Sequence, residues 1–333
     1  MKVQPLWIVL AVATVWVAWW LAATVLPMTN HKHALTVHQT RPGKAYLRNA
    51  QGLWLAYTHS WLPADPSTAP KGVVYVVHGF ADHCGRLLRY SEAEFNEAGY
   101  VVLCMDLQGH GGSEGDRGFV EDVDHYIEEY SLFLKEVEES YAPYKDLPRF
   151  LSGGSMGGAI AIGLANRMPT YFNGVLLLAP AIIPDPAVAS PALIALGRWI
   201  SYYMPRLSMG HVDPFRSFAN IEAAHSFIAD PLTYKGPIAT RWAAEVMRQM
   251  ERIQEEAATK MTYPFWVGFG TADNVCSVEG GFYLRDHAVS KDKTLQQYEG
   301  GTHDLLSDPN VGKEVLKDML QWMEQHLAPV SSL

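Results

Sequence analysis

The hydrophobic positions of the chain form short runs separated by amphipathic stretches. Two segments on either side of residues 49–52 predict a hairpin of two strands. The runs after this hairpin are apolar without alternation, which is typical of strands buried on both faces of a parallel sheet. They occupy residues 72–80, 100–111, 149–154, 174–181, 264–273 and 293–301.

Helical periodicity appears between these runs. It covers residues 89–98, 121–139, 156–168 and 311–327. Strands that alternate with helices predict an α/β fold with a doubly wound, mostly parallel sheet. In open sheets of this kind, functional residues lie at the carboxyl ends of the strands. The residues that follow each predicted strand are therefore the first candidates for a site.

The N-terminal segment has a different composition. Residues 3–26 carry no charged side chain, and as a helix they would span about 36 Å, enough to cross a bilayer with some tilt. They predict a transmembrane anchor, which a linker at residues 27–44 follows. A cleaved signal segment is the alternative, because Ala22 and Ala23 are small, although the apolar part of a signal peptide is usually about 7–15 residues long.

The orientation of the anchor follows from the basic residues that flank it. The positive-inside rule compares Lys2, before the span, with the residues Lys32, Arg41, Lys44 and Arg48 after it. This comparison places the body of the protein in the cytosol. Cleavage of a signal segment would instead give a secreted or luminal protein.

Charge and cysteine content exclude several classes of function. The net charge is −9 without a basic block, which argues against nucleic acid as a partner. None of the three cysteines, Cys84, Cys104 and Cys276, belongs to a C-x-x-C pair. The spacing therefore predicts neither a structural zinc site nor a disulfide framework.

The strongest candidate chemistry is a serine between a predicted strand and a predicted helix. Residues 153–157 read Gly-Gly-Ser-Met-Gly, a G-x-S-x-G motif. The motif alone is weak evidence, but a sharp strand-to-helix turn needs glycine beside the serine and exposes its hydroxyl group. The context therefore predicts that Ser155 is a nucleophile.

A serine nucleophile needs a base, and the base needs an orienting carboxylate. Asp273 ends one predicted strand and His303 follows the last one, so both stand in the order Ser, Asp, His that this architecture requires. Asp286 and Asp304 are interpreted as surface carboxylates.

The oxyanion that forms during acyl transfer needs two backbone donors. They are predicted to be the N–H groups of Met156 and Phe80. His78, close to Phe80 in the sequence, is expected to brace this loop through hydrogen bonds.

Six motifs stand in the order found in one known family. They read HGFADHCGR (78–86), DLQGHGGSEGDRG (106–118), GGSMGGAIA (153–161), ADPL (229–232), GTADNVC (270–276) and YEGGTHDLL (298–306). Over residues 45–327 the chain resembles the monoacylglycerol lipase and lysophospholipase group of the α/β-hydrolases. The resemblance implies the same triad and oxyanion donors.

The activity that this resemblance implies is hydrolysis of a fatty acyl ester. The N-terminal apolar segment, which many members of the family lack, adds a membrane as the expected partner. The first candidate substrate is a monoacylglycerol, and no metal or organic cofactor is implied. The alternatives are a lysophospholipase, another carboxylesterase, a thioesterase, a peptidase, or a membrane-tethered binding protein without activity.

Residues 182–262 interrupt the alternation and predict a helical lid inserted into a core of residues 45–181 and 263–327. The helix at 192–204 is apolar on nearly every side, so it is either buried or presented to lipid or an acyl chain. The resemblance favours the second alternative, for which the candidate contacts are Leu193, Leu196, Ile200 and Tyr203. A second helix, at 237–257, has a stripe that is expected to be core packing: Trp242, Val246, Met250 and Ile253.

Overall fold

A computed structural model of the protein describes residues 13–17, 45–62, 67–183 and 190–327. Residues 13–17 are helical. The rest of the predicted anchor at 3–26 and the whole of the linker at 27–44 lie outside the described residues. In the part of the chain that is described, every helix is too short or too polar to cross a bilayer.

The strands of the protein form one large sheet and one small one. In chain order they are β1 (Ala45–Arg48), β2 (Trp54–Ser60), β3 (Gly72–Val77), β4 (Tyr100–Met105), β5 (Arg149–Gly154), β6 (Gly174–Leu178), β7 (Ser208–His211), β8 (Pro237–Ala239), β9 (Phe265–Gly270) and β10 (Lys293–Tyr298). The large sheet has the order β1-β2-β4-β3-β5-β6-β9-β10. The β1–β2 and β2–β4 pairs are antiparallel and the other pairs are parallel. The predicted hairpin and parallel sheet are confirmed.

Helices cover both faces of this sheet. In chain order they are α1 (Cys84–Leu87), α2 (Glu92–Glu97), α3 (Val123–Ser140), α4 (Met156–Arg167), α5 (Pro191–Tyr203), α6 (Pro214–Ser217), α7 (Ile221–Ala229), α8 (Thr240–Lys260), α9 (Glu279–His287) and α10 (Gly312–Gln325). Successive residues of β3 point to opposite faces of the sheet and so contact different layers of helices. Tyr75 packs in one cluster with α3 and α4, whereas Val74 and Val76 pack in another with α2 and α10. The doubly wound architecture is therefore confirmed.

The chain leaves the sheet after β6 and returns at β9, and these two strands are parallel neighbours. The intervening residues carry α5 to α8 and the small antiparallel pair of β7 and β8. We call residues 182–262 the insertion. The short helices α6 and α7 and the β7–β8 pair did not stand out in the sequence, because each is too brief to show a period.

The expectation that the cysteines form no disulfide is wrong. Cys84 at the start of α1 is bonded to Cys104 on β4, with their Cα atoms 5.7 Å apart. The two residues are 20 positions apart and follow no motif, so only the packing of α1 beside β4 brings them together. In the chain-entropy model, closing a loop of this length contributes about 3 kcal/mol to stability.

A buried carboxyl group holds the loop after β4 against the β1–β2 hairpin. Glu129 on α3 accepts hydrogen bonds from Asn49 Nδ2 at 2.7 Å and from the Gln108 N–H at 3.3 Å. Burial raises the pKa of Glu129 from 4.5 to about 8, although both hydrogen bonds act in the opposite direction. The folded protein therefore keeps a proton that the unfolded chain releases near pH 4.5.

This difference predicts how stability depends on pH. As pH rises from about 5 to 8, the free energy of unfolding should fall, with a contribution of about 1 kcal/mol per pH unit from Glu129. Glu129→Gln should remove that part of the slope, which denaturant unfolding at several pH values would measure. Glu139→Gln, at an exposed carboxyl group of the same helix, is the matched control and should keep the slope of the unsubstituted protein. An unchanged slope in Glu129→Gln would contradict the assignment.

Candidate active site

The turn between β5 and α4 holds Ser155 in a conformation that L residues rarely adopt. Its φ is 53° and its ψ is −124°. The backbone of the neighbouring strand fixes this geometry, because the Ser155 N–H donates to the Leu178 carbonyl group at 3.0 Å and the Ser155 carbonyl group accepts from the Ala181 N–H at 3.0 Å. Strain of this kind persists where the surroundings over-determine the backbone, which is typical of a functional residue.

The glycines on either side of Ser155 are required by close backbone contacts. A Cβ atom on Gly153 would lie 2.4 Å from the Gly157 carbonyl oxygen. One on Gly157 would lie 2.3 Å from the Val77 carbonyl oxygen. Because these neighbours are backbone atoms, of α4 in the first case and of β3 in the second, no side chain fits at either position. The predicted reason for glycine at this turn is confirmed.

The structure brings Asp273 and His303 together at the edge of the sheet. His303 Nδ1 lies 2.9 Å from Asp273 Oδ2, and the Asp273 side chain is only 1% exposed. The other carboxylate oxygen, Oδ1, accepts from the N–H groups of Val275 at 2.7 Å and Cys276 at 3.0 Å. Three hydrogen bonds thus hold the carboxylate in place, and the one to His303 leaves Nε2 as the ring nitrogen free for proton transfer.

A buried thiol lies beside the serine. Cys276 is a free cysteine, and its side chain hydrogen-bonds that of Ser155. Burial, followed by the charge of Asp273, raises the pKa of Cys276 far above the usual value for a thiol. The thiol therefore stays protonated at neutral pH, so it does not compete with Ser155 as a nucleophile.

The two predicted oxyanion donors flank the serine. Met156 is the first residue of α4, where N–H groups have no partner within the helix. Phe80 lies in the loop after β3, and in the same loop Gly79 approaches the serine so closely that a Cβ on it would lie 3.5 Å from Ser155 Cβ.

His78 fixes the start of this loop. Its Nε2 accepts from the Leu107 N–H at 2.9 Å, so Nδ1 carries the proton and donates to the Gly79 carbonyl group at 2.8 Å. The bracing role expected of His78 is confirmed. Burial lowers the pKa of His78, which keeps the ring neutral.

A cavity of about 480 Å³ opens beside Ser155 and His303. This volume is within the range of small-molecule sites. Much of its apolar wall comes from the insertion, through Val212, Phe218, Phe227, Ile238 and Trp242. The sequence did not single out the first four of these residues, because they lie on short elements and loops.

The residues of α5 that were predicted to contact the acyl chain do not line this cavity. Leu196 is 51% exposed and Tyr203 is 65% exposed, and Ile200 is half-buried elsewhere. The side chain of Leu193 lies outside the described structure. Leu196, Ile200 and Tyr203 are absent from the wall of this cavity, so their interpretation as contacts to lipid or an acyl chain stays a prediction.

A buried polar cluster lines the same cavity. Arg86 Nε donates to Asp82 Oδ1 at 2.7 Å, and Arg86 Nη2 lies 3.3 Å from Asp304 Oδ2. Burial alone would lower the pKa of Arg86, but the charges of Asp82 and Asp304 outweigh it and raise the pKa. Interpreting Asp304 as a surface carboxylate is thus wrong, since its side chain is 15% exposed and paired.

Comparisons with known proteins agree with this geometry. The family model for serine aminopeptidase, S33, matches residues 68–310. The monoglyceride lipase of Mus musculus is 32% identical over 286 residues, which cover 85% of this chain and 91% of that protein. The caffeoylshikimate esterase of Arabidopsis thaliana is 31% identical over 312 residues, covering 89% of this chain and 90% of that protein.

A solved structure of a lipase has the same fold. The monoacylglycerol lipase of Paleococcus ferrophilus superposes with a TM-score of 0.71 at 29% identity, and the match covers 82% of this chain and 99% of that one. The family model extends over strands β3 to β10, the insertion and all the predicted site residues. The chain belongs to the serine aminopeptidase S33 family, within the monoacylglycerol lipase-like group of the α/β-hydrolases.

Proposed function

We propose that the protein is a serine hydrolase that cleaves a monoacylglycerol into glycerol and a fatty acid, with Ser155 as the nucleophile. The observation that carries the proposal is that Ser155 and His303 line one largely apolar cavity, and that His303 is hydrogen-bonded to Asp273 behind it. The names of the mouse and archaeal relatives support the substrate class.

The reaction proceeds through an acyl-enzyme. His303 Nε2 takes the proton of the Ser155 hydroxyl group as Oγ attacks the ester carbonyl carbon, and the N–H groups of Phe80 and Met156 stabilise the oxyanion. His303 then gives the proton to the leaving glycerol oxygen. A water molecule, deprotonated by the same histidine, releases the fatty acid. Asp273 keeps the imidazole ring oriented and stabilises its charged form.

The wall of the cavity suits an amphipathic ester. Phe218, Phe227 and Ile238 offer an apolar surface to an acyl chain. The cluster of Asp82, Arg86 and Asp304 offers charged hydrogen-bonding groups to glycerol hydroxyl groups. Two carboxylates against one guanidinium leave this cluster net negative, which favours an uncharged head group over a phosphate.

A substrate panel tests the proposal directly. The purified protein should hydrolyse monoolein faster than lysophosphatidylcholine and much faster than an aminoacyl-naphthylamide. Ser155→Ala should abolish both turnover and labelling by a fluorophosphonate probe, whereas Ser140→Ala, at an exposed serine of α3, should change neither.

Three results of this panel would contradict the proposal. Faster cleavage of the aminoacyl substrate would indicate a peptidase. Labelling that persists in Ser155→Ala would show another nucleophile. A folded protein that the probe does not label would favour a binding protein without activity.

The orienting carboxylate gives a second prediction. Asp273→Asn should preserve the packing but favour the wrong tautomer of His303, and kcat should fall on the order of 10⁴-fold, as in the serine-protease triad. Steady-state kinetics on a soluble ester measures this loss. Asp286→Asn, at an exposed carboxylate, is the control and should be unaffected. A loss below about tenfold in Asp273→Asn would mean that another group orients His303.

We also propose that residues 3–26 anchor the protein and that the insertion acts as a lid facing the bilayer. Exposed apolar side chains on α5 support this proposal, among them Trp199, Tyr202 and Tyr203, each more than 60% exposed. Aromatic residues of this kind are favoured at membrane interfaces. In this arrangement the enzyme takes its substrate from lipid without first transferring it to water.

Deletion of residues 1–28 should separate attachment from chemistry. Hydrolysis of a short, soluble ester should stay nearly unchanged, because Ser155, Asp273 and His303 lie far along the chain. The truncated protein should leave the carbonate-resistant membrane fraction and hydrolyse long-chain substrate in vesicles more slowly. Full-length protein in the soluble fraction would refute the anchor, and a mature N-terminus near Thr24 would show a cleaved signal segment.

The disulfide between Cys84 and Cys104 bears on the orientation of the anchored protein. Disulfides persist in oxidising compartments and are rare in the cytosol. This observation points to the luminal or extracellular side, opposite to the side that the positive-inside rule predicts. Alkylation decides between the two sides. The protein is taken directly from cells, denatured, and alkylated either with or without prior reduction. Modification of Cys84 only after reduction places the body in an oxidising compartment.

A further inference from the structure

Three aromatic rings enclose the side chain of Phe80. The Trp242 ring lies against it, with centroids 3.7 Å apart and planes at 33°. Tyr234 and His110 meet it edge-on, with centroids at 5.9 and 5.7 Å. His110 belongs to the loop after β4, whereas Tyr234 and Trp242 belong to the insertion. Two of the three rings around a proposed oxyanion donor thus come from outside the core of the fold.

The insertion also holds the backbone next to Phe80. The Tyr234 N–H donates to the Ala81 carbonyl group at 2.8 Å. Ala81 has a φ of 65°, a left-handed conformation that a residue other than glycine keeps only when its surroundings impose it. Two residues further on, His83 Nε2 lies 3.1 Å from Asp230 Oδ2. Residues 230–242, which we call the brace, therefore fasten the oxyanion loop at successive positions.

Tyr234 is rigidly placed in the brace. Its ring fits so closely that a Cβ on Gly118 would lie 2.2 Å from it. Its hydroxyl group donates to the Pro237 carbonyl group at 2.8 Å.

Trp242 is held differently. The two residues before it anchor the start of α8. The Thr240 N–H donates to the Leu207 carbonyl group and the Arg241 N–H donates to the Pro205 carbonyl group, both at 2.9 Å. The Nε1 of Trp242 is buried and has no hydrogen-bond partner among the described residues. The position of the indole ring therefore depends on packing, and Phe80 supplies the closest ring contact.

We propose that Trp242 is a positioning residue for ester hydrolysis, which acts by fixing Phe80 so that its N–H points at the developing oxyanion. The inference rests on the proposed function, because it needs a reaction with an oxyanion. Donors of an oxyanion hole work only about 2.7–3.1 Å from the oxygen they stabilise. Since Phe80 and Trp242 both line the cavity, removal of the indole ring opens space into which Phe80 and its peptide group move.

The test separates a positioning role from a structural one. The rate of hydrolysis of a short, soluble ester is divided by the concentration of active sites. That concentration is measured by titration to completion with a fluorophosphonate. Trp242→Ala should lower kcat about tenfold or more, less than the 10²–10³-fold loss of a whole donor, and should leave KM within about threefold. The inhibition constant of a trifluoromethyl ketone should rise by the same factor as kcat falls, because its hemiketal oxyanion uses the same donors. Trp242→Phe should restore most of the activity.

Two further variants complete the test. Trp54→Ala removes a half-buried tryptophan of β2 outside the site, and its kcat and ketone affinity should match those of the unsubstituted protein. The double variant with Phe80→Leu and Trp242→Ala should have a kcat little below that of either single variant, since Trp242 acts through the Phe80 ring.

The outcomes distinguish the inference from the function it rests on. If Trp242→Ala lowers only the fraction of active sites or the melting temperature, with kcat per site and ketone affinity unchanged, Trp242 is merely structural and the inference fails. If the unsubstituted protein neither hydrolyses esters nor reacts with the probe, the proposed function itself fails.

Discussion

The tight turn at Ser155 is the constraint on which the rest of the site depends. It brings the first turn of α4 so close to the backbones of β5 and β3 that Gly153 and Gly157 have no room for a Cβ. The same contacts impose the positive φ of Ser155, because its N–H and carbonyl groups are both bonded to the end of β6 and the residues after it. A strained serine is thus held by hydrogen bonds to the buried centre of the sheet, where close packing leaves little room for the backbone to relax.

The sheet also explains why the other predicted catalytic residues meet. Asp273 and His303 are 30 positions apart, but they follow β9 and β10, which are parallel neighbours. Parallel strands bring their carboxyl ends to one edge, so strand order alone places the two side chains within hydrogen-bond distance. For this reason the carboxylate–histidine pair could be predicted from strand runs in the sequence, and so could the glycines around Ser155.

Other parts of the site could not be predicted, because they depend on contacts between distant segments that leave no periodic signal. The Cys84–Cys104 disulfide arises from the packing of α1 on β4. Asp304 was interpreted as a surface carboxylate because its partner Arg86 lies 218 positions away. On α8, Val246 and Ile253 are buried as their helical stripe predicts. Trp242 belongs to the same stripe and packs against the same core, but it lies at the start of the helix and also lines the cavity.

As the position of Trp242 illustrates, the insertion and the core both contribute residues to the candidate site. In the proposed mechanism, the core supplies the nucleophile, the base and one oxyanion donor, from the turn between β5 and α4 and from the loop after β10. The second donor lies on a loop, and loops need external support to be precise. Here that support comes from the insertion, through the Tyr234–Ala81 hydrogen bond and the Trp242–Phe80 contact. The insertion, which forms much of the apolar wall of the cavity, is therefore also the segment that holds the loop of the proposed donor Phe80. Changes in the insertion should then alter rate and substrate choice together, since neither the cavity wall nor the oxyanion loop can move without the other.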